Sequence, residues 1–223
     1  MQILIVGFQR SGTTLLRRIL SIHPQVRSMF HEVFLLHKFD NKNDVIQFVN
    51  DKGVNPVLEN WGEKAPFYPN VKGISVIDYC RTWNGYFGET SRILHIVRHP
   101  IDVAQSVVVK RGKGGIKQPL NFYKLKMRSY ISKIQNIKTS FTFKYEDMLM
   151  NPDEMIPQIF EFCGLNKDID FREALSLLEN PKYQTINPSR AFAYRSSPPV
   201  VKINLSGVYH SINKKIGGVE YTI

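Results

Sequence analysis

The stretch ILIVGFQRSGTTLLRRIL, residues 3–20, decides the fold of this chain. Its first four residues are aliphatic and end at Gly7, which is typical of a short buried strand. The apolar residues after the turn recur at the spacing of one helical face: Leu15, Leu16, Ile19 and Leu20. The stretch therefore predicts a strand, a tight loop and a helix in succession.

Two further segments repeat this order of strand and helix. RILHIV (residues 92–97) is followed by Pro100, which suits the first turn of a helix. SFTFKY (residues 140–145) leads to NPDEMIPQIFEFCGL, where Asn151 can cap a helix and Pro152 fits its first position. Strands that alternate with helices predict an α/β fold on a parallel sheet, whose ligands gather at the carboxyl ends of the strands.

The rest of the chain fits one domain around this sheet. A length of 223 residues with 43% hydrophobic content suits a single core, so we expect one domain over residues 1–223. From residue 185 onward the sequence is rich in Pro, Ser and Gly and loses periodicity, which predicts a loop-rich cover over residues 185–223. Further helices are predicted at residues 44–51, 71–82 and 120–138.

Composition restricts the classes of partner. The formal net charge of +11 favours binding of anions, which include cofactor phosphates, acidic acceptors and nucleic acid. The two cysteines, Cys80 and Cys163, have neither metal-like spacing nor the number that a disulfide framework needs. Because the sequence shows no basic leader and no long apolar stretch, we expect no membrane anchor and a cytoplasmic location.

The glycine-rich loop after the first predicted strand has the spacing of a phosphate loop. Gly7 and Gly12 are six residues apart by inclusive count, as in a Walker A loop, but Thr13 stands where that loop carries lysine. The cation is instead Arg10, whose planar donors suit phosphate or sulfonate oxygens. The sequence thus predicts an oxyanion site that has no γ-phosphate lysine and needs no metal.

These residues resemble the 5′-phosphosulfate loop of sulfotransferases that use 3′-phosphoadenosine 5′-phosphosulfate (PAPS). Three more motifs follow in the order of that family and extend the resemblance over residues 1–165: GEKAPFYP, ILHIVRHPIDVAQSV and FKYEDMLMNPDEMIPQIFEFCGL. The N-terminal third is most similar to tyrosine-protein sulfotransferases. The resemblance implies a P-loop NTPase-like fold and metal-independent sulfuryl transfer from PAPS to a hydroxyl, with release of adenosine 3′,5′-bisphosphate (PAP).

The resemblance also implies which residues bind the donor. The loop residues would cradle the 5′-phosphosulfate: Arg10, Ser11, Gly12, Thr13 and Thr14. By the same resemblance Arg98 and Ser106 would hold the 3′-phosphate, and their positions after the strand at residues 92–97 agree with this role. Tyr145 resembles the aromatic residue that contacts adenine in the family, although packing at the edge of the core explains it equally well.

The catalytic residues implied by the resemblance are Arg10, Lys64 and one residue near position 31. Lys64 resembles the lysine that meets the sulfonate and the bridging oxygen, where positive charge is needed as the bond breaks. A gapless alignment assigns the general base to His31, and a shift of one residue assigns it to Glu32. The unperturbed pKa of histidine favours His31 slightly.

Two other functions remain open at the level of sequence. An atypical P-loop kinase would need Mg²⁺ and an acidic residue after a later strand, but IVRHP (residues 96–100) offers arginine there. A nucleic-acid-binding protein could use KRGKGGIKQ (residues 110–118), which no recognised nucleic-acid module accompanies. For a sulfotransferase the acceptor could be an acidic peptide, a sugar or a small molecule, since acceptor loops vary most in such folds.

Overall fold

A parallel sheet forms the centre of the molecule in the computed structural model, which describes residues 1–67, 75–111, 129–176 and 185–191. The strands found in these residues are β1 (Gln2–Phe8), β2 (Val26–His31), β3 (Asn60–Phe67), β4 (Ser91–Val97) and β5 (Ser140–Lys144). They lie in the order β2-β3-β1-β4-β5, and every pairing is parallel. The predicted α/β fold with a parallel sheet is confirmed.

Helices cover both faces of this sheet. Those in the described residues are α1 (Thr13–Ser21), α2 (Leu35–Lys38), α3 (Lys42–Asp51), α4 (Val76–Phe87), α5 (Pro100–Arg111), α6 (129–135), α7 (Tyr145–Met150), α8 (Pro152–Phe162) and α9 (Phe171–Ser176). Short 3-10 turns lie at Gly88–Thr90 and Pro188–Arg190. Helices α2 to α6 pack on one face, and α1 and α7 to α9 pack on the other.

The middle position of β1 follows directly from its sequence. Every residue of this strand is buried, and its side chains alternate between the two hydrophobic cores. Leu4 and Val6 belong to the core with α4, whereas Ile3 and Ile5 belong to the core with α1. The loop that follows β1 therefore starts from the middle strand of the described sheet, which is buried along its whole length.

Each of the three further predicted helices has a counterpart in the structure. The prediction at 44–51 corresponds to α3, and the prediction at 71–82 corresponds to α4, which starts after Ser75 accepts a hydrogen bond from the Asp78 N–H. Residues 71–74 and 120–128 of these predicted helices lie outside the described residues, and so do residues 192–223 of the predicted cover. Asn151 precedes α8, but its side chain makes no capping hydrogen bond.

Candidate active site

The loop between β1 and α1 has a backbone that its glycine makes possible. Arg10 and Gly12 adopt left-handed conformations, with φ of 70° and 99°. The N–H and the Oγ of Ser11 both donate to the carbonyl of Phe8, over 3.0 and 2.5 Å. A Cβ at position 12 would lie 2.2 Å from Cδ2 of Tyr145, so only glycine fits between this ring and the loop.

The same loop leaves the start of α1 suited to an anion. No side chain caps this helix end, and its first turn contains no acidic residue. The N–H groups of this turn and the positive end of the helix dipole therefore receive neither a side-chain cap nor a carboxylate from the turn itself. This arrangement can hold a phosphate or a sulfonate.

The structure brings three of the predicted donor-binding residues together beside the loop. Arg10 Nε donates to Ser106 Oγ over 2.8 Å, and Arg98 donates to the carbonyl of Arg10 over 3.1 Å. Arg98 also donates to the carbonyl of Arg190 over 3.1 Å and lies 3.6 Å from Asp102. The carboxyl ends of β1 and β4 thus present two arginines and a hydroxyl at one edge of the sheet.

Tyr145 packs against this cluster through Gly12 and Arg98. Its ring is 4% exposed, lies against Gly12 and has the guanidinium of Arg98 at 4.6 Å from its centroid. Burial raises the pKa of its hydroxyl, so the phenol stays neutral. The contact with Gly12 and Arg98 accounts for the position of this tyrosine, and its contact with adenine stays a prediction.

The sequence prediction missed a buried carboxyl group behind Arg98. Glu146 accepts a hydrogen bond from the His99 N–H over 2.8 Å, and its side chain is buried. Burial raises the pKa of Glu146 to about 7. This carboxyl group fixes the turn between β4 and α5, which carries Arg98. The acidic residue directly after the tyrosine of YEDM was the available signal in the sequence.

A second cluster forms around Lys64 in β3. Its ammonium lies 2.5 Å from Glu32 Oε1, 3.3 Å from His31 Nε2 and 3.1 Å from Thr14 Oγ1. The Lys64 side chain is 2% exposed, whereas His31 is 52% and Glu32 is 26% exposed. The structure thus joins the predicted lysine to both candidates for the base and to the phosphate loop.

The surroundings keep His31 neutral. Burial lowers the pKa of His31 below its ordinary value of 6.5, and the ammonium of Lys64 lowers it further, while Glu32 opposes the change. An ammonium has no acceptor, so Lys64 can only donate to the unprotonated ring nitrogen of His31. An imidazole that is neutral at neutral pH has an unprotonated nitrogen, which a general base requires.

The strands that carry this second cluster were not predicted from the sequence. β2 bears His31 at its end, and β3 contains Glu63, Lys64 and Pro66 within a segment that is buried from Trp61 to Phe67. Charged residues and a proline argue against a buried strand when only the sequence is read. Both charged side chains have partners in the structure. Lys64 contacts Thr14, His31 and Glu32. The carboxyl group of Glu63 accepts hydrogen bonds from the Tyr79 hydroxyl and the Leu35 N–H.

The described residues contain neither a metal-binding cluster nor a membrane-spanning helix. In these ranges no three His, Cys, Asp or Glu side chains come together as a metal site. No described helix is both long enough and apolar enough to cross a membrane. Independence from metal stays a prediction of the sequence.

Comparison with known proteins agrees with this fold. The sulfotransferase domain of the olefin synthase from Synechococcus PCC 7002 is 18% identical, with 94% of each chain covered and a TM-score of 0.62. The sulfotransferase domain of the curacin biosynthetic pathway is 17% identical, with 93% of this chain and 96% of that chain covered and a TM-score of 0.62. The mouse sulfotransferase SULT7A1 complexed with PAP is 12% identical, with 94% and 83% covered and a TM-score of 0.56.

The sequence comparison gives the family. No curated protein matches this chain significantly, and a nearest relationship to tyrosine-protein sulfotransferases is not confirmed. The family model described as "Sulfotransferase domain", however, matches residues 1–192, which include the phosphate loop, the Lys64 cluster and the Arg98 cluster. The chain therefore belongs to the sulfotransferase domain family, whose chemistry is the transfer of a sulfuryl group.

Proposed function

We propose that this protein transfers the sulfuryl group of PAPS to a hydroxyl acceptor and releases PAP. The observation that carries the proposal is the link between the two clusters, since one loop contacts Ser106 through Arg10 and Lys64 through Thr14. Two structural neighbours, retinol dehydratase and the mouse sulfotransferase, were crystallised with PAP, which supports the choice of donor. The cluster of Arg10, Arg98 and Ser106 would hold the nucleotide, and the cluster around Lys64 would act on the acceptor.

The donor side fits a nucleotide with phosphates at both ends of its ribose. The loop residues from Arg10 to Thr14 would hold the 5′-phosphosulfate at the uncapped start of α1. Arg98 and Ser106 would hold the 3′-phosphate, and the hydrogen bond from Arg10 to Ser106 would keep the two subsites at a fixed spacing. Tyr145, whose ring packs against Gly12, would lie on the adenine side of this site.

The acceptor side supplies the groups that sulfuryl transfer needs. The acceptor oxygen forms a bond to sulfur while the bond between sulfur and the bridging oxygen breaks, and the electron pair of that bond leaves on PAP. Lys64 would donate to the bridging oxygen, together with Arg10, as negative charge develops there. The proton of the acceptor hydroxyl passes to a base in the protein.

We assign the role of base to His31, and Glu32 is the second candidate. The imidazole is half exposed and neutral at neutral pH, so it can meet an acceptor that enters from solvent. The carboxylate of Glu32 is held at 2.5 Å from Lys64, which suits it to orient that lysine. In a plot of reaction rate against pH, the rate of the wild type should fall at acidic pH as His31 becomes protonated. His31→Asn should abolish this fall, whereas Glu32→Gln should retain it at a lower overall rate.

Calorimetric titration with PAP tests the donor site without knowledge of the acceptor. We expect binding of PAP in the absence of metal and much weaker binding of ADP with Mg²⁺. Arg98→Ala should lower the affinity for PAP by about 10-fold to 100-fold, since a charged hydrogen bond is worth roughly 1.5–3 kcal/mol. Arg81→Ala, on the exposed surface of α4, is the matched control and should leave the affinity unchanged.

The opposite results would contradict the proposal. Preference for ADP with Mg²⁺ would indicate a kinase. Absence of nucleotide binding together with salt-dependent binding of nucleic acid would indicate a nucleic-acid-binding protein. Once binding of PAP is established, release of PAP from PAPS in the presence of phenols, sugars and acidic tyrosine peptides would identify the class of acceptor.

A further inference from the structure

The loop after β2 is attached to β3 from both faces of the sheet. On one face, the side chain of Lys64 contacts His31 and Glu32, and its carbonyl accepts from the Glu32 N–H over 3.1 Å. On the other face, both carboxyl oxygens of Glu63 lie within 3.3 Å of the Leu35 N–H. Because neighbouring residues of a strand point to opposite faces, Glu63 and Lys64 hold the same loop between them.

Tyr79 completes the attachment on the Glu63 side. Its hydroxyl donates to Glu63 Oε1 and accepts from the Leu36 N–H over 3.2 Å. The side chains of Glu63 and Tyr79 are both buried. The first N–H groups of α2, which have no partner within the helix, therefore bond to a residue of β3 and a residue of α4.

The backbone of this loop needs such support. Glu32 and Phe34 have φ of 53° and 54°, in a region that residues with a side chain seldom adopt. Conformations of this kind persist only where the surrounding structure determines them. Contacts at Lys64 fix the first of the two residues, and contacts at Glu63 and Tyr79 fix the position directly after the second.

We propose that Glu63 and Tyr79 are positioning residues for the reaction, which hold the loop from Glu32 to Leu36 so that His31 stays in contact with Lys64. The proposal rests on the proposed function, in which His31 accepts the proton and Lys64 meets the bridging oxygen. Neither Glu63 nor Tyr79 touches the phosphate loop in the contacts described above. Their loss should therefore disturb the acceptor side and leave the donor side intact.

NMR titration of the His31 ring measures this effect without an acceptor. The charged groups that act on His31 are Lys64, Glu32 and Arg17, and burial of the ring adds to them. Tyr79→Phe removes the hydroxyl that bonds Leu36 and Glu63, so the loop should withdraw from Lys64 and gain water. The His31 pKa should then rise toward its ordinary value of 6.5.

Two further variants make the test specific. Glu63→Gln retains an oxygen for the Leu35 N–H and should keep the His31 titration close to that of the wild type, whereas Glu63→Ala should raise the His31 pKa at least as much as Tyr79→Phe. Tyr86→Phe is the matched control, because this tyrosine also lies on α4 and donates its hydroxyl to a backbone carbonyl, that of Asp40. It should leave the His31 titration unchanged.

Calorimetry with PAP on the same variants separates positioning from general damage. We expect Tyr79→Phe to keep the PAP affinity of the wild type within about twofold. An unchanged His31 titration in both Tyr79→Phe and Glu63→Ala would overturn the proposal, and so would a parallel loss of PAP affinity in Tyr79→Phe. If the wild type itself fails to bind PAP, the proposed function fails, while the His31 titration still decides whether the two residues hold the loop.

Discussion

Replacement of Glu63 by Gln should make the stability of this protein less dependent on pH. Glu63 is fully buried, and burial raises its pKa from 4.5 to about 7, although hydrogen bonds from Tyr79 and Leu35 oppose this change. A carboxyl group whose pKa is higher in the folded state stabilises the fold below the unfolded value. That contribution is lost as pH rises through the folded value.

The size of the effect follows from the shift. A difference from 4.5 to about 7 corresponds to a total loss of about 3 kcal/mol in the free energy of unfolding, of which about 2 kcal/mol falls between pH 5 and pH 8. The amide of Gln does not titrate and still offers an oxygen to the Leu35 N–H. Relative to the variant, the wild type should therefore lose about 2 kcal/mol between these two pH values.

Urea denaturation of both proteins at pH 5, 6, 7 and 8 would measure this difference directly. The comparison with the variant removes the contributions of other groups, such as Glu146 and His95, because both proteins contain them. Glu173→Gln makes the same chemical change on the exposed side of α9 and should give a difference that stays constant with pH. A constant difference between the wild type and Glu63→Gln would refute the reasoning, since it would mean that Glu63 is as ionised in the folded protein as in the unfolded one.

Two further predictions concern the lysine cluster and the loop. Lys64→Met removes the charge of a buried side chain but keeps most of its length. The rate of PAP release from PAPS should therefore fall about 100-fold, with little change in PAP affinity. Lys52→Met, on the surface, is the control and should change neither the rate nor the affinity. Gly12→Ala brings a Cβ against Tyr145 at a φ of 99° and should lower the free energy of unfolding by roughly 1–3 kcal/mol, measured by urea denaturation. Gly85→Ala in the open interior of α4 should instead raise it by about 0.5–1 kcal/mol, and equal effects of the two substitutions would contradict the account of the loop.

The part of the fold that sequence reading predicted is the part with unmixed signals. β1, β4 and β5 are short apolar or aromatic runs that lead directly into helices, so periodicity and the residues at helix starts were enough to find them. β2 and β3 were missed because their charged residues and Pro66 resemble a loop. Only the tertiary structure supplies the partners that allow Glu63 and Lys64 to lie inside a sheet.

The candidate site also combines features that are readable along the chain with features that only the tertiary structure provides. The phosphate loop could be proposed from the sequence because its residues are contiguous, and the structure brings Arg10, Arg98 and Ser106 into contact. The connection of Lys64 to His31 depends on the pairing of β2 with β3, which places the two residues opposite each other in the sheet. A pairing between strands that were not predicted is not available from the spacing of residues along the chain.

The two clusters share one arrangement, in which a buried carboxyl group fixes the backbone beside a cation. Each has a cation near the end of a strand, Lys64 or Arg98, and each has a buried carboxyl group that bonds a backbone N–H of the adjoining loop. Cations stabilise developing charge most when they are already in position, because no reorganisation is then needed during the reaction. Burial of Glu63 and Glu146 lowers stability as pH rises, and both carboxyl groups fix backbone beside a cation. We therefore expect buried carboxyl groups that lower stability at high pH to occur beside the cations that the proposed reaction needs in fixed positions.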